Sequence, residues 1–264
     1  MKIEISVQEY FNEMKQAKDK LDREECLYPW IYMLLKMAEI KKQDILKEWY
    51  KSVSIIDVHL IKRVANRPMA SQLSKICGAP DIAIVDDDVI VGCVEIKAFS
   101  HGVIRKDCEL PCRIDFPIGR KITKITKNEK KIDVWEYKEN QLKNKENQLK
   151  NIVREKPNQI LSHLEKFNKV IYTDGLEFYY LILKECANQN KYYIEVKELA
   201  NLRNSFESYE KDNLNSLNLI LEATAEWNRL IAGLTSIDWY KKPLKLEFDS
   251  VNFPEDDIST KEEE

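Results

Sequence analysis

The sequence predicts an α/β (α+β) protein: a small mixed β-sheet flanked by helices, with helical N- and C-terminal parts. Three observations carry this. Two β-branched apolar runs, Asp81–Val85 and Val89–Ile96, are joined by an acidic turn at Asp86, Asp87 and Asp88. The segment NQILSHLEKF after Pro157 has helical spacing and leads into the apolar run KVIYT, a turn at Asp174-Gly175, and the run LEFYYLIL. On either side lie charged segments whose apolar residues recur at helical spacing.

In chain order, VQEYFNEMKQAKDKLDREE reads as a helix with Tyr10, Phe11, Met14 and Leu21 on its apolar side. Pro29 opens or kinks a second helix, WIYMLLKMAEIKKQDILKEWY. Residues 52–77 read as a short strand followed by a helix. Residues 98–134, with Gly102, Pro111, Pro117 and Gly119, read as a long irregular loop, the kind that carries function or is partly disordered. The tandem heptapeptide KENQLKN at 138–144 and 145–151 reads as one extended charged helix, two copies being too few for a solenoid. KYYIEV at 191–196 is a further strand, and the chain from Glu198 to about Gly233 is expected to be helical. Residues 1–254 are thus expected to form a single domain. It has a helical part at 1–51, a core at 52–197 with a long insertion at 98–156, and a helical part at 198–254. Residues 255–264 read as an acidic disordered tail.

Composition limits the function classes. With 44% hydrophobic and 33% charged residues among 264, the chain has the balance of a globular protein with one sizeable core. No apolar run approaches the ~18 residues that span a bilayer. The start, MKIEISVQEYFNEMK, lacks the apolar centre of a secretion signal, so a cytoplasmic location without membrane contact is expected. Six cysteines do not make a disulfide scaffold in a chain of this length, and Cys108 and Cys112 lack the second pair or His cluster of a zinc site. The net charge of −3 conceals an asymmetry. The tail holds six acids and one lysine, a net −5, which leaves +2 for residues 1–254. Within 118–131, IGRKITKITKNEKK has six basic residues and one acid, a concentration that fits phosphate contact as well as a solvated loop.

The chemistry concentrates between Gly78 and Lys97. Asp81 stands at the entrance of one strand, and Glu95 and Lys97 close the next. Side chains alternate along a strand, so Glu95 and Lys97 share a face and Ile96 points the other way. Two carboxylates from adjacent strands, with the Ile96 backbone carbonyl, form an oxygen-donor set for Mg²⁺, for which Mn²⁺ can substitute. Lys97 beside them can orient or polarise water and neutralise phosphate charge. The same residues also occur at ordinary turns and half-exposed strand edges.

The order of elements resembles the PD-(D/E)xK nuclease superfamily, and most closely the nuclease module of single-polypeptide restriction–modification enzymes. The resemblance rests on Gly78-Ala79-Pro80-Asp81, then Gly92-Cys93-Val94-Glu95-Ile96-Lys97, then Gln159 on the NQILSHLEKF helix, then KVIYTDGLEF, and covers roughly residues 20–185. It implies a restriction-endonuclease-like core in which Asp81 and Glu95 bind metal, Lys97 is the catalytic lysine and Gln159 is an auxiliary active-site residue. It also implies a further metal-proximal Glu on an early helix, for which Glu25, with Glu24 beside it, is the candidate. A helix-start acid favoured by the helix dipole accounts for Glu25 more readily. The aromatic residue that related nucleases carry four positions after the Gln is here His163. Arg105, Arg113, Arg120, Lys121 and Lys124 are candidates for DNA backbone contact. His101 and His163 are phosphate contacts, structural residues or merely exposed ones, and Thr173 and Asp174 serve the turn.

The implied activity is Mg²⁺-dependent endonucleolytic hydrolysis of double-stranded DNA in restriction or defence, leaving 5′-phosphate and 3′-hydroxyl ends. Cutting both strands favours a homodimer, or a subunit of a larger complex. The alternatives are a non-catalytic DNA-binding or assembly subunit, and a structure-specific repair or resolvase nuclease.

Overall fold

The computed structural model describes residues 4–20, 23–46, 51–58, 73, 78–99, 102–104, 112–116, 120–125, 131–136, 149, 151–186, 191–211 and 217–240. The duplicated heptapeptide, apart from residues 149 and 151, and the acidic tail lie outside these residues, as do Arg105 and His101.

Helix α1, Val7–Lys20, starts in a capping box. The Glu9 carboxylate accepts from the Ser6 N–H (2.7 Å) and hydroxyl (2.8 Å), and the Glu9 N–H donates to Ser6 Oγ (3.2 Å). A 3-10 turn at Glu24–Cys26 precedes α2, Tyr28–Leu46, in whose first turn Pro29 costs no intrahelical bond.

The strands are β1 (Ser54–Asp57), β2 (Ile82–Asp86), β3 (Val89–Ile96), β4 (Cys112–Phe116), β5 (Arg120–Ile125), β6 (Lys131–Glu136), β7 (Lys169–Thr173), β8 (Glu177–Cys186) and β9 (Lys191–Asn201). The helices that follow α2 are α3 (Pro157–Phe167), α4 (Arg203–Glu210) and α5 (Leu217–Ser236). The main sheet is mixed, in the order β1-β2-β3-β7-β8-β9-β4, and β5 pairs with β6 in a separate two-stranded sheet. Among the described strands only β3 and β7 run parallel, joined by the insertion and α3, since a parallel pair needs a long crossover.

The β2–β3 hairpin forms as its sequence requires. Asp87 and Asp88 both take positive φ, the backbone twist that suits a two-residue hairpin turn. A bulge between Ile84 and Val85 leaves Val91 as the extra residue of β3. Beyond it Val94 and Ile96 enter one core, while Cys93 enters the other.

These two cores sit on opposite faces of the sheet. On one, Tyr10, Phe11, Leu34, Ile96, Phe178 and Trp227 bring α1, α2 and the C-terminal helices together. On the other, Ile160, Leu164 and Phe167 of α3 pack on Cys93, Val170 and Tyr172. The helical parts separated in sequence are therefore one layer, joined by Tyr10 against Trp227 at 5.1 Å and Lys18 to Glu210 at 2.8 Å. Among the described residues no helix is long and apolar enough to cross a membrane.

Two expectations are corrected. The stretch 98–134 is not wholly irregular: it holds β4, β5 and part of β6. The prolines at 111 and 117 bracket β4 rather than break it, and its pairing with β9 supplies the backbone bonds that the local sequence does not advertise. Residues 198–201 are strand, not helix. Phe178 pairs with Ala200 and Glu177 with Asn201, and ladder pairing with buried Leu199 and Ala200 outweighs the helical preference of Glu-Leu-Ala.

Candidate active site

Asp81 immediately precedes β2, where its N–H donates to Val94 O at 3.1 Å. Its carboxylate is held at both oxygens: Ile96 N–H donates to Oδ2 (2.7 Å) and the Tyr28 hydroxyl to Oδ1 (2.6 Å). Glu95, on the face opposite Ile96, points toward α3. Its Oε1 accepts from Lys97 Nζ at 2.6 Å and its Oε2 from Gln159 Nε2 at 3.0 Å. The Lys97 N–H donates to Thr173 O at 2.8 Å, so β7 fixes the backbone of the lysine. Asp81, Glu95 and Lys97 are all buried.

Helix α3 clamps this hairpin to the loop before it. Gln159 Nε2 donates to Ala79 O at 3.4 Å as well as to Glu95, and His163 Nε2 meets Gly78 O at 3.1 Å. Gly78 has φ +72°, and a Cβ there would lie 2.9 Å from the Gln159 side chain. Gly92 is fixed by proximity alone, since a Cβ would stand 2.4 Å from the Trp239 ring. Both glycines of the recognised pattern therefore have a steric reason in this fold.

The electrostatics bear first on Glu95. Burial, followed by the negative charge of Asp81, raises the Glu95 carboxyl, with Lys97 pulling it back. Burial acts to lower the Lys97 ammonium, but Glu95, Glu24 and Asp81 outweigh it and hold the group protonated. Burial depresses His163 to about 4 and keeps it neutral. Its Nε2 donates to Gly78 O, so Nδ1 carries the lone pair; that atom is buried without a hydrogen-bond partner, 3.7 Å from Glu95 Oε2.

The structure brings Asp81, Glu95, Lys97 and Gln159 together, with Ile96 between. It departs from the expected set in two places and decides a third. Glu24, not Glu25, approaches: its Oε1 lies 3.8 Å from Lys97 Nζ and burial raises its carboxyl, whereas Glu25 is exposed on the same tight turn. Tyr28, on which the sequence carries no signal beyond its place before Pro29, braces Asp81. His163, expected as a phosphate contact, a structural residue or an exposed one, is fully buried against Gly78 and Glu95; its spacing of four from Gln159, one helical turn, is the signal that puts both on one face. Thr173 and Asp174 do serve the turn, through the N–H groups of Gly175, Leu176 and Glu177, and Asp174 also pairs with Arg203.

The expected DNA contacts are dispersed. Arg113 is exposed on β4 at the far edge of the sheet, its guanidinium 3.6 Å above the Tyr193 ring. Arg120, Lys121 and Lys124 fall on β5, outside the main sheet.

Asp81 and Glu95 fit a hard divalent cation on two grounds. Their donors are all oxygen, and the raised carboxyl of Glu95 beside the charge of Asp81 is what a cation would bring down. Among the described residues no group of three or more His, Cys, Asp and Glu side chains is placed to hold a metal. Such a site would therefore be a two-carboxylate one, completed by backbone, water or phosphate oxygens. Comparisons of the chain with protein-family models, with curated proteins and with solved structures gave no match.

Proposed function

We propose that this protein is a Mg²⁺-dependent endodeoxyribonuclease with a restriction-endonuclease-like core, acting on double-stranded DNA in the cytoplasm. One observation carries the proposal: Lys97, Glu95 and Gln159 form one hydrogen-bonded chain, and Asp81 lies beside it, its carboxylate bonded to the N–H of Ile96 between the two strand-end residues. A structural hairpin has no need to bury Glu95 beside an acid that raises its carboxyl.

Asp81, Glu95 and the Ile96 carbonyl would hold the metal, which when bound supplies Lewis-acid activation of phosphate and water. The protein's own groups do the rest. Tyr28 and the Ile96 N–H fix the Asp81 carboxylate, and Gln159 fixes that of Glu95. Lys97, held as a cation, neutralises charge on the reacting phosphate and orients the attacking water rather than accepting its proton. In-line attack leaves 5′-phosphate and 3′-hydroxyl ends, and a homodimer would present two such sites to the two strands.

The purified chain should cut duplex DNA with Mg²⁺ or Mn²⁺, and Lys97→Ala should not, at unchanged secondary structure. Equal activity in both proteins would remove the assigned site. Plasmid, branched and single-stranded substrates compared side by side separate a sequence-reading enzyme from a structure-specific one.

A second function, a non-catalytic DNA-binding or assembly subunit, is favoured by the small side-chain donor set among the described residues. Calorimetry decides between them. Mg²⁺ or Mn²⁺ binding that disappears in Asp81→Asn supports the nuclease, and no binding to the native chain supports the subunit.

A further inference from the structure

We infer that Lys156 holds a phosphate of the DNA backbone at the mouth of the candidate site, next to the phosphate that reacts; this rests on the proposed nuclease function and adds a substrate contact to it. The first support is placement. Lys156 stands directly ahead of α3, and its carbonyl accepts from the N–H groups of Gln159 (3.0 Å) and Ile160 (3.2 Å). Two anchors tie it to Glu95. One turn onward, Gln159 donates to Glu95 Oε2. One residue back, Glu155 O accepts from the Tyr172 hydroxyl at 3.2 Å, and Tyr172 is the partner of Glu95 in the β3–β7 register. The chain leading to Lys156 is clasped as well. Ile104 and Val153 form an antiparallel bridge, and Arg154 donates to Val103 O from N–H (3.1 Å) and to Ile104 O from Nε (3.2 Å).

The second support is charge. Asp81, Glu95 and Lys97 are buried, whereas Lys156 is exposed. Among the described residues its ammonium has no hydrogen-bond or ion-pair partner. It nevertheless acts on the site: burial raises the carboxyls of Glu95 and Glu24, and the charge of Lys156 is among those that pull both back. A solvated cation that reaches two acids of the site and is bonded to neither is open to a phosphate. The third support is that Lys156 suits the fold poorly. The residue ahead of a helix is commonly Ser, Thr, Asp or Asn, whose side chain accepts a helix N–H, and Lys156 makes no such bond. Its φ of 46° and ψ of 50° are left-handed, a strain for a residue with a Cβ, and the following proline favours an extended backbone instead. Its charge also stands at the positive end of the helix dipole. Asparagine would answer the cap, the backbone and the charge at once, so lysine here serves something other than the fold.

The test uses the full-length protein in EDTA, so that binding is read without cleavage. Fluorescence anisotropy with a short duplex is followed between about 50 and 200 mM salt. Lys156→Asn should weaken binding about tenfold, alike for unrelated sequences, and flatten the log–log salt dependence by about 0.9. Lys156→Arg should keep both near native. The same Lys156→Asn protein should melt about 2–4 °C higher, since it relieves the helix start. Unchanged affinity and slope in Lys156→Asn overturn the inference, as does a native chain that binds no duplex. Weaker binding with a lower melting midpoint also overturns it, because Lys156 would then belong to the fold. Should Lys156→Asn not fold, Lys156→Gly, which accepts the left-handed backbone too, reads the same quantities. With Mg²⁺ added, Lys156→Asn should raise KM about tenfold and leave kcat near native, and a native KM overturns the contact. A chain that binds through Lys156 but never cuts leaves the phosphate contact standing and removes the nuclease alone. A chain that cuts while Lys156→Asn binds as native does the opposite.

Discussion

The Asp81–Glu95–Lys97 cluster and the Asp174–Glu177–Arg203 cluster have the same composition, two carboxylates and one cation, and both form around the ends of adjacent parallel strands. In the second every charge is satisfied. Asp174 accepts from the N–H groups of Leu176 (3.0 Å) and Glu177 (2.9 Å) and from Arg203, while Glu177 accepts from Arg203 Nε (2.7 Å) and the Val103 N–H (3.2 Å). The guanidinium also donates to Phe99 O at 3.3 Å. The first cluster keeps a remainder: an unpartnered imidazole nitrogen faces Glu95, the half-buried Glu24 adds a third acid, and Glu95 ionises against the charge of Asp81. Saturation marks a clamp, which needs nothing more. An unused acceptor and excess negative charge mark a place where something else binds.

The sharpest way to break that contrast is to remove one charge from each cluster. Asp81→Asn should cost at least about 1,000-fold in cleavage rate, roughly 4 kcal/mol of barrier, with urea stability close to native, because it removes the acid that opposes Glu95. Arg203→Met should behave in the opposite way. It leaves Asp174 and Glu177 buried without a cation, at a cost of about 3 kcal/mol of stability. Cleavage per folded molecule should persist. Activity loss without destabilisation in Arg203→Met would erase the distinction between clamp and site.

Acidification separates Asp174 from His163 by sign, while Glu95 shifts in the same direction as Asp174. Burial raises Asp174 to about 6 from an ordinary 3.8, Arg203 acting against it. A carboxyl that holds its proton more tightly when folded contributes stability that is complete below about pH 4 and is lost as pH rises through 6. His163 is pushed from 6.5 to about 4, so its contribution is present above pH 6.5 and is lost as pH falls through 4. The stability difference between native protein and Asp174→Asn should therefore grow as pH falls from 6 to 4. That between native protein and His163→Gln should shrink, each by on the order of 2 kcal/mol. Urea unfolding across this range checks both, and slopes of one sign would show that Asp174 and His163 sit in like surroundings.

The smallest effect sharpens the membership of the site. Glu24→Gln should change Mn²⁺ affinity by about tenfold, as groups that act on metal ligands from a distance do. Glu25→Gln should leave it unchanged. Titration followed by the spectrum of free Mn²⁺ reads both without relying on turnover, and an equal effect of the two would restore Glu25 as a candidate.

The hairpin, α3 and β7 were legible because each is written in a short period. Alternation over Val94–Ile96 sets the face of Glu95, and a spacing of four sets Gln159 and His163 one turn apart. β4 and the end of β9 were not, because their strand character comes from partners distant in sequence, Cys112 against Val196 and Ala200 against Phe178. Glu24 and Glu25 are indistinguishable as neighbouring acids; only the turn that leads into α2 directs one of them at Lys97.

Composition and local pattern by themselves determined the fold class, the hairpin with its three ionisable residues, the helix that packs over it, and a basic segment in an acidic chain. Tertiary structure alone decided that Tyr28 braces Asp81, that His163 is buried against Glu95, that the two terminal helical parts are one layer, and that the insertion is clasped beside Lys97. The reason is physical. Backbone periodicity is fixed within a few residues, whereas the juxtaposition of side chains 50 to 200 positions apart depends on how two cores pack against opposite faces of one sheet.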